Sequence, residues 1–289
     1  MNRSGISPAR QAWQRLRANR AAVVAGIVAI VVVTWCVLGP LLMSALAGIE
    51  STDQDVLLGA TAPSWHHWMG TDILGRDLMV RTMIGGRIAI AIGLLATLMA
   101  MVIGVGWGAL AGYAGGRVDE LMMRVVDVIY ALPMLVVVIV IMALLETRSV
   151  VVLVLFIGSV SWLMMARITR AQVLSLKQRE FVDAARGLGL RPSRILLRHL
   201  VPNALGPVVA YASLAIPGAM LFEAFLSFLG LGVQPPAASL GSLVSEGAGL
   251  LLVYPWTLIG PGVVMVLALV ALNFLGDGLR DALDPRAAR

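Results

Sequence analysis

The chain has 289 residues, of which 59% are hydrophobic and only 13% are charged. A typical globular protein is about half apolar and about a quarter charged, so this composition indicates a chain solvated mainly by lipid. The net charge of +6 does not indicate a nucleic-acid partner, because the basic residues flank apolar runs instead of covering a soluble domain. The single cysteine, Cys36, excludes an internal disulfide.

Six apolar runs predict six membrane-spanning helices, since about 20 helical residues cross the hydrocarbon core of a bilayer. The fourth run is the shortest, and only residues 146–149 separate it from the third. We therefore expect an all-α polytopic membrane protein with a single transmembrane domain over residues 21–289. The predicted spans are residues 21–46, 88–110, 121–145, 150–166, 204–229 and 250–275.

The distribution of Lys and Arg predicts that both termini lie in the cytoplasm. With that orientation 18 of the 22 basic residues are inside, and the four outside are Arg76, Arg81, Arg87 and Arg148. The opposite orientation would place most of the positive charge outside, against the positive-inside rule. The first apolar run is also too long for the core of a cleavable signal peptide.

The segment before the first span, residues 1–20, contains five arginines and no acidic residue. Its stretch from Pro8 to Arg20 is amphipathic, with Trp13 and Leu16 among the arginines. This pattern predicts a helix that lies along the headgroups of the inner leaflet. A plain basic anchor that only sets the topology is the alternative.

The connection between the fourth and fifth spans has the pattern of a short docking helix. Apolar residues recur at i, i+3, i+4 and i+7 and predict one apolar face, formed by Phe181, Ala184, Ala185 and Leu188. Gly189 suits the left-handed cap that ends a helix, and Pro192 suits the first turn of a second helix. We expect so compact a helix on the cytoplasmic side to exchange force with a soluble partner.

No catalytic chemistry of the chain's own is visible. The only lysine, Lys177, follows Leu-Ser-Leu instead of a glycine-rich loop, so no cradle for a nucleoside triphosphate is predicted. His66 and His67 lie far from His199 in the sequence, and no metal site is predicted. No serine has a partner histidine and acid at a recognisable spacing. We expect a subunit that is not an enzyme and that holds no cofactor itself.

Charge within the predicted spans is sparse, which argues against an ion-coupled transporter. Arg124 and Asp127 are spaced to pair across one turn at the inner mouth of the third span. Glu223, in the outer half of the fifth span, is predicted either to line a substrate path or to pack between neighbouring helices. A row of small residues in the second span predicts close helix packing, preferably within the chain's own bundle: Gly104, Gly108 and Gly112.

Several motifs together resemble one protein family. Asp183-Ala-Ala-x-x-x-Gly189, followed by His199-Leu-x-Pro202-Asn203, resembles the EAA loop of the membrane permease subunits of bacterial ABC importers. The run from His67 to Asp77 (His-Trp-Met-Gly-Thr-Asp-Ile-Leu-Gly-Arg-Asp) is similar to a signature of the C-type subunit in the peptide-importing branch. Residues 170–181, 225–232 and 273–285 also resemble that subunit.

The resemblance implies a type I importer permease in the bacterial plasma membrane, with a cytoplasmic coupling loop at about residues 177–203. Such a permease pairs with a second homologous permease and with two cytoplasmic ATPases, which hold ATP and Mg²⁺, and it receives peptide from an extracytoplasmic binding protein. The implied ATPase-coupling residues are Glu180, Asp183, Ala184, Ala185, Gly189, His199 and Pro202. The implied residues facing the binding protein are Gly70, Thr71, Asp72, Gly75, Arg76 and Asp77.

Each of the two loops also has a simpler interpretation. The docking segment could be an amphipathic helix that only lies on the inner leaflet. The outer loop could be a Gly/Asp-rich turn that only fixes its own conformation.

Two positions depart from the family pattern. Asp183 stands where the family usually has Glu, which keeps the charge but shortens its reach by one methylene. Leu240-Gly241 stands where Trp-Gly is common, so an aromatic contact at that outer loop is in doubt.

The expected substrate is an oligopeptide. A dipeptide, nickel or another small solute remains open, because in such systems the binding protein largely selects the substrate. Two other classes of protein remain as alternatives. An ion-coupled secondary transporter would use an ion gradient instead of ATP, and a membrane enzyme would need a catalytic set that the sequence does not display.

Overall fold

The computed structural model describes residues 8–145 and 149–283, and within these ranges every regular element is helical. Three parts of the sequence discussed above lie outside the described residues: the N-terminal residues with Arg3, the boundary at 146–148 with Arg148, and the tail with Arg286 and Arg289. The helices are α1 Pro8–Ala18, α2 Arg20–Ala47, α3 Leu78–Ala114, α4 Gly116–Tyr130, α5 Met134–Leu145, α6 Val150–Lys177, α7 Glu180–Gly187, α8 Pro192–Ile195, α9 Val201–Phe228, α10 Leu240–Leu250 and α11 Trp256–Leu283.

Six apolar spans are present in the described part of the chain if one bent pair counts as a span. Five helices are long and apolar enough to cross a membrane: α2, α3, α6, α11 and the continuous helix Pro192–Phe228. The sixth span is the pair α4 and α5, which meet at 73°. The six predicted runs therefore all lie in helices, and the chain is a multi-pass membrane protein.

Most predicted spans differ from the helices in detail. The helices of the second and fifth spans begin earlier than predicted, at Leu78 and Pro192. The third span is broken at Pro133, because proline has no N–H to donate and disfavours helical geometry in the residue before it. The fourth span is longer than predicted, since α6 continues past the apolar run to Lys177 and carries polar residues out of the membrane. The sixth begins at Trp256 instead of residue 250, after a turn that contains Pro255.

The bundle is organised around the contact between α3 and α6. Gly104, Gly108 and Gly112 are buried on the face of α3 that meets α6. A Cβ atom at Gly108 would collide with the carbonyl oxygen of Ala166, and one at Gly104 would lie 2.8 Å from that of Trp162. The row of small residues therefore packs two helices of the same chain backbone to backbone, as the sequence favoured.

Around this pair, α2 and α11 form an outer layer. Cys36 of α2 is fully buried against α3, where Gly86 leaves room for its sulfur. The opposite side of α2 is exposed and almost wholly apolar, with Ile27 57% and Ile30 66% exposed, which is expected of a surface that faces lipid. The amphipathic α1 precedes α2 and packs against α11, and the side chain of Asn19 caps α2.

The glycine row gives a direct test of the packing. Replacing Gly108 by Val should destabilise the folded chain by about 1–3 kcal/mol, because the added carbons meet the α6 backbone, which cannot move aside as a side chain can. Gly106→Val is the matched control, since Gly106 is on the same helix but its Cβ would point into open space. Thermal unfolding in detergent measures both, and equal midpoints would contradict the packing role.

Candidate functional sites at the inner and outer surfaces

The short helix α7 stops where the sequence predicts. Gly189 has φ of +72°, in the left-handed region that favours glycine. Its N–H donates to the carbonyl of Arg186 at 2.9 Å, and the N–H of Leu190 donates to that of Ala185 at 3.2 Å. These two bonds form a Schellman motif, which satisfies carbonyls that the helix end would otherwise leave open. The next helix, α8, begins with Pro192, also as predicted.

Two apolar faces, not one, run along α7. Val182 and Ala185 are buried in a cluster that includes Ile195 of α8. Ala184 is exposed on another side, between the side chains of Phe181 (41% exposed) and Leu188 (81% exposed).

The spacing predicts one apolar face of Phe181, Ala184, Ala185 and Leu188, whereas the structure buries Ala185 and exposes the other three. Ala185 is 5% exposed and belongs to the anchoring face with Val182. The helical spacing of apolar residues does not reveal which of two adjacent apolar faces meets the rest of the protein. The exposed face is therefore Phe181, Ala184 and Leu188.

The polar coupling candidates lie around this face. Glu180 and Asp183 are exposed in the first turn of α7, where negative charge is favourable, and Asp183 pairs with Arg186 at 3.0 Å. Both partners of that pair are substantially exposed, so it contributes little to stability.

His199 and Pro202 lie farther along, where α8 passes into α9 through a π-helical turn, Leu196–Leu200. Pro202 has no N–H for the carbonyl four residues earlier, and the wider turn accommodates its ring. Pro202 thus affects the helical path from α8 into the fifth span, and His199 lies within the π-helical turn. They do not belong to the exposed apolar face.

Ion pairs connect α4 to α6 at the inner mouth. Arg170 binds Asp119 through two hydrogen bonds of 2.5 and 2.7 Å, and Arg167 binds Asp127 at 2.8 Å. The expected pairing of Asp127 with Arg124 is therefore wrong. The i, i+3 rule considers only one helix, whereas a guanidinium on the facing helix α6 reaches the same carboxylate. The sequence does not indicate which arginine pairs with Asp127, because the pairing depends on how α4 lies against α6.

The outer loop is built around the buried carboxylate of Asp72. Its Oδ1 accepts the N–H groups of Leu74 at 2.8 Å and Arg76 at 3.1 Å, and its Oδ2 accepts the Arg76 Nε–H at 2.7 Å. A second guanidinium, from Arg81, also binds Oδ2. Arg81 is fully buried and extends to Glu246 of α10 at 3.4 Å. Arg81 has no predicted role in coupling or binding, although an arginine one turn into an apolar helix is unusual enough to indicate a buried partner.

The other residues of the outer motif also have internal partners. Asp77 caps α3 by accepting the N–H of Val80 at 2.9 Å, and its second oxygen lies 2.8 Å from Nδ1 of His67. Thr71 is buried and donates to the carbonyl of Gly59 at 2.7 Å.

The glycines of this motif serve the same loop. Gly70 and Gly75 have φ of +78° and +72°, and a Cβ at Gly75 would collide with the backbone of Asp55. The motif therefore folds the loop, which is the simpler of its two predicted roles. All six residues predicted to face a binding protein are buried, and their contact with such a protein stays a prediction: Gly70, Thr71, Asp72, Gly75, Arg76 and Asp77.

Glu223 is fully buried between α9 and α10. Its Oε1 accepts hydrogen bonds from the hydroxyl groups of Ser239 at 2.6 Å and Ser227 at 2.9 Å. Ser239 also caps α10, and Gly241 in the first turn packs against Ala224 beside Glu223. Of the two predicted placements, the structure has the one between neighbouring helices, and the role of this residue in lining a path stays a prediction. Leu240, which replaces the usual Trp, is buried in the core.

Removing the Glu223 carboxylate should weaken the contact between α9 and α10. Glu223→Ala leaves two buried hydroxyl groups without their acceptor, and we expect a loss of about 1–3 kcal/mol in the free energy of unfolding. Glu223→Gln keeps a carbonyl acceptor and should lose less. Glu120→Ala, which removes an exposed glutamate from α4, is the control. The thermal unfolding midpoints rank the wild type and the three variants. A midpoint for Glu223→Ala equal to that of Glu120→Ala would refute the stabilising role of these hydrogen bonds.

The family comparisons agree with this arrangement. Residues 104–289 match the family described as the binding-protein-dependent transport system inner membrane component, and residues 7–58 match the N-terminal TM domain of oligopeptide transport permease C. The first match covers well over half of the chain. The chain therefore belongs to the binding-protein-dependent inner membrane component family, the permease subunits of ABC importers.

Individual relatives are similar over nearly the whole chain. The oligopeptide transport system permease protein OppC of Haemophilus influenzae is 42% identical over 286 residues, which are 99% of this chain and 91% of the relative. OppC of Escherichia coli is 45% identical over 281 residues, covering 96% and 92%. The dipeptide transport system permease protein DppC of Bacillus subtilis is 39% identical over 290 residues, covering 100% and 89%.

A solved structure shares the fold. A chain of the MetNI methionine ABC transporter, in an inward-facing conformation, superimposes with a TM-score of 0.57 at 18% identity, covering 72% of this chain and 98% of the other. At that identity the likeness concerns the fold alone. It confirms the expected fold of a type I importer permease.

Proposed function

We propose that this chain is the C-type permease subunit of an ATP-driven oligopeptide importer, in which it forms half of the translocation path. The observation that carries the proposal is the exposed apolar face of α7, Phe181, Ala184 and Leu188, on a helix whose opposite face is anchored in the chain. An apolar surface of this kind, rimmed by charged residues and lying outside the spans, suits a groove on a soluble partner.

The anchoring of α7 suits the transmission of force. Val182 and Ala185 pack with residues of α6, α8 and α9, so α7 cannot shift without moving those helices. Arg170 extends the connection to α4 at the inner mouth. In this proposal two cytoplasmic ATPases seat on α7 of this subunit and its homologous partner, and ATP-driven closure of the ATPases moves the helices that line the path. Glu180, Asp183 and Gly189 set the charge and the direction of the docking helix.

Oligopeptides are the proposed substrates because several similar relatives are named oligopeptide permeases. A dipeptide substrate is the second candidate, supported by the 39% identity to DppC over the full chain. An extracytoplasmic binding protein would deliver the peptide to the outer face and choose between these substrates.

Reconstitution tests the function. The chain alone in liposomes should show neither ATPase activity nor uptake driven by a pH gradient, because the sequence contains no nucleotide-binding loop and no chain of carboxylates within the spans. With a second permease, two ATPases and a peptide-loaded binding protein, it should support ATP-dependent peptide import. Gradient-driven uptake by the chain alone would overturn the proposal in favour of a secondary transporter.

Variants of α7 sharpen the same experiment. Leu188→Asp places a carboxylate on a side chain that is 81% exposed, so it should spare folding but abolish ATPase association. Gly189→Val should cost about 1 kcal/mol at the left-handed cap and misdirect α8. Leu57→Asp, on a fully exposed outer residue, and Gly187→Val, on a helical glycine with open space around its Cβ, are the controls. Import by Leu188→Asp and Gly189→Val equal to that of Leu57→Asp and Gly187→Val would refute the docking role.

The proposed topology has its own test. In a Cys36→Ala background, cysteines at Arg117 and Arg191 should resist a thiol reagent that cannot cross the membrane, while one at Gln54 should react. All three positions are exposed in the structure, so differences in labelling reflect the compartment. Labelling of position 191 from outside would place α7 on the wrong side for a cytoplasmic ATPase.

A further inference from the structure

An apolar groove of about 560 Å³ lies on the lipid-facing side of the bundle, between α1, α2 and α11. Apart from Arg17 at one end and Thr34 at the other, its walls are apolar. Gly26 opens the middle, because a Cβ there would meet only Leu275, at 3.5 Å. The main lining residues are Trp13, Leu16, Val23, Ile27, Ile30 and Leu275.

The groove has the length of one membrane leaflet. Along α2 it is lined from Ala22 to Thr34. At 1.5 Å per residue that distance is about 18 Å, comparable to half of a hydrocarbon core of about 30 Å. Near its α1 end α2 and α11 are in direct contact, because a Cβ at Gly278 would collide with Ala22. The two helices therefore form the base of the groove, and the groove opens toward lipid.

The end of the groove at α1 is positively charged. Arg17 lines it, with its guanidinium 4.7 Å from the centre of the Trp13 ring, and Arg20 is exposed at the start of α2. No acidic residue precedes Glu50 in the sequence. At the adjoining end of α11, Asp277 and Asp281 are exposed, and in the described part of the chain neither forms an ion pair with Arg17 or Arg20. The combination of a leaflet-length apolar channel and an arginine end is complementary to a lipid with an anionic headgroup.

We propose that this groove binds one acyl chain of an anionic phospholipid of the cytoplasmic leaflet, whose phosphate lies at Arg17 and Arg20. Trp13 lies at the interface between headgroup and chain, where tryptophan is favoured. The bound lipid joins α1 to the spanning helices, which gives this amphipathic helix a specific membrane partner. The proposal rests on the cytoplasmic position of α1 and is independent of which solute the importer carries.

The experiment uses the full chain, purified in detergent and incubated with phosphatidylglycerol or phosphatidylcholine of identical acyl chains. Lipid retained per chain after washing is counted by mass spectrometry. We expect at least threefold more phosphatidylglycerol than phosphatidylcholine. Gly26→Leu, which fills the groove, and Arg17→Gln, which removes the charge, should each reduce retained phosphatidylglycerol at least threefold. Their controls, Gly106→Leu on the exposed side of α3 and Arg117→Gln on α4, should leave it unchanged.

A second measurement keeps the test valid if Gly26→Leu does not fold. Phosphatidylglycerol brominated along its acyl chains should quench the fluorescence of Trp13. The Trp13 signal is the difference in fluorescence between the wild type and Trp13→Phe. Arg17→Gln should reduce the quenching of that signal. Equal retention of the two lipids, or quenching that Arg17→Gln leaves unchanged, would overturn the proposal. So would a disulfide between Ile27→Cys and a cysteine of the co-expressed second permease, since a protein would then occupy the groove.

Discussion

The contact between α3 and α6 is the interaction on which the other features depend. Lipid offers no hydrophobic driving force between helices, so spanning helices associate through close packing, and the glycines of α3 permit it. The outer end of α3 begins at Asp77, inside the folded outer loop. The C-terminal end of α6 leads within three residues into α7. One helix pair thus positions both candidate sites, although they lie at opposite surfaces of the membrane.

Charged groups are used differently at the two surfaces. At the surface where α3 begins, Asp72, Arg76 and Arg81 are buried together, and the partly exposed Glu246 supplies the second negative charge, so these groups hold a loop in one conformation. Buried pairs of this kind are costly to break singly, because removing one partner leaves an unpaired charge. On the inner side Asp183 and Arg186 are exposed and contribute little to the fold. Breaking the pair of Asp183 and Arg186 therefore costs little, whereas breaking the pairs of Asp72 costs more.

Much of the fold follows from local rules in the sequence. The length of the apolar runs predicts the spans, the glycine row predicts the tight helix pair, and Gly189 and Pro192 predict where α7 stops and α8 begins. Each of these signals depends on a few neighbouring residues. The failures involve contacts between distant segments: Ala185 turned out to face α8, and Asp127 to pair with Arg167. Periodicity and spacing describe one helix at a time and carry no information about its neighbour.

The helix from Pro192 to Phe228 is continuous, since the π-helical turn joins α8 to α9, and it contacts α7 near one end and α10 near the other. Ile195 packs against α7, and Glu223 accepts a hydrogen bond from Ser239 at the start of α10. Both residues therefore belong to one continuous helix. Their separation of 28 residues corresponds to about 42 Å, so a tilt of about 5° at the docking end would displace the other end by about 4 Å. A displacement of that size exceeds the length of the hydrogen bonds between Glu223 and the two serines. A tilt of about 5° at the end beside α7 is thus geometrically sufficient to break the hydrogen bonds between Glu223 and the two serines.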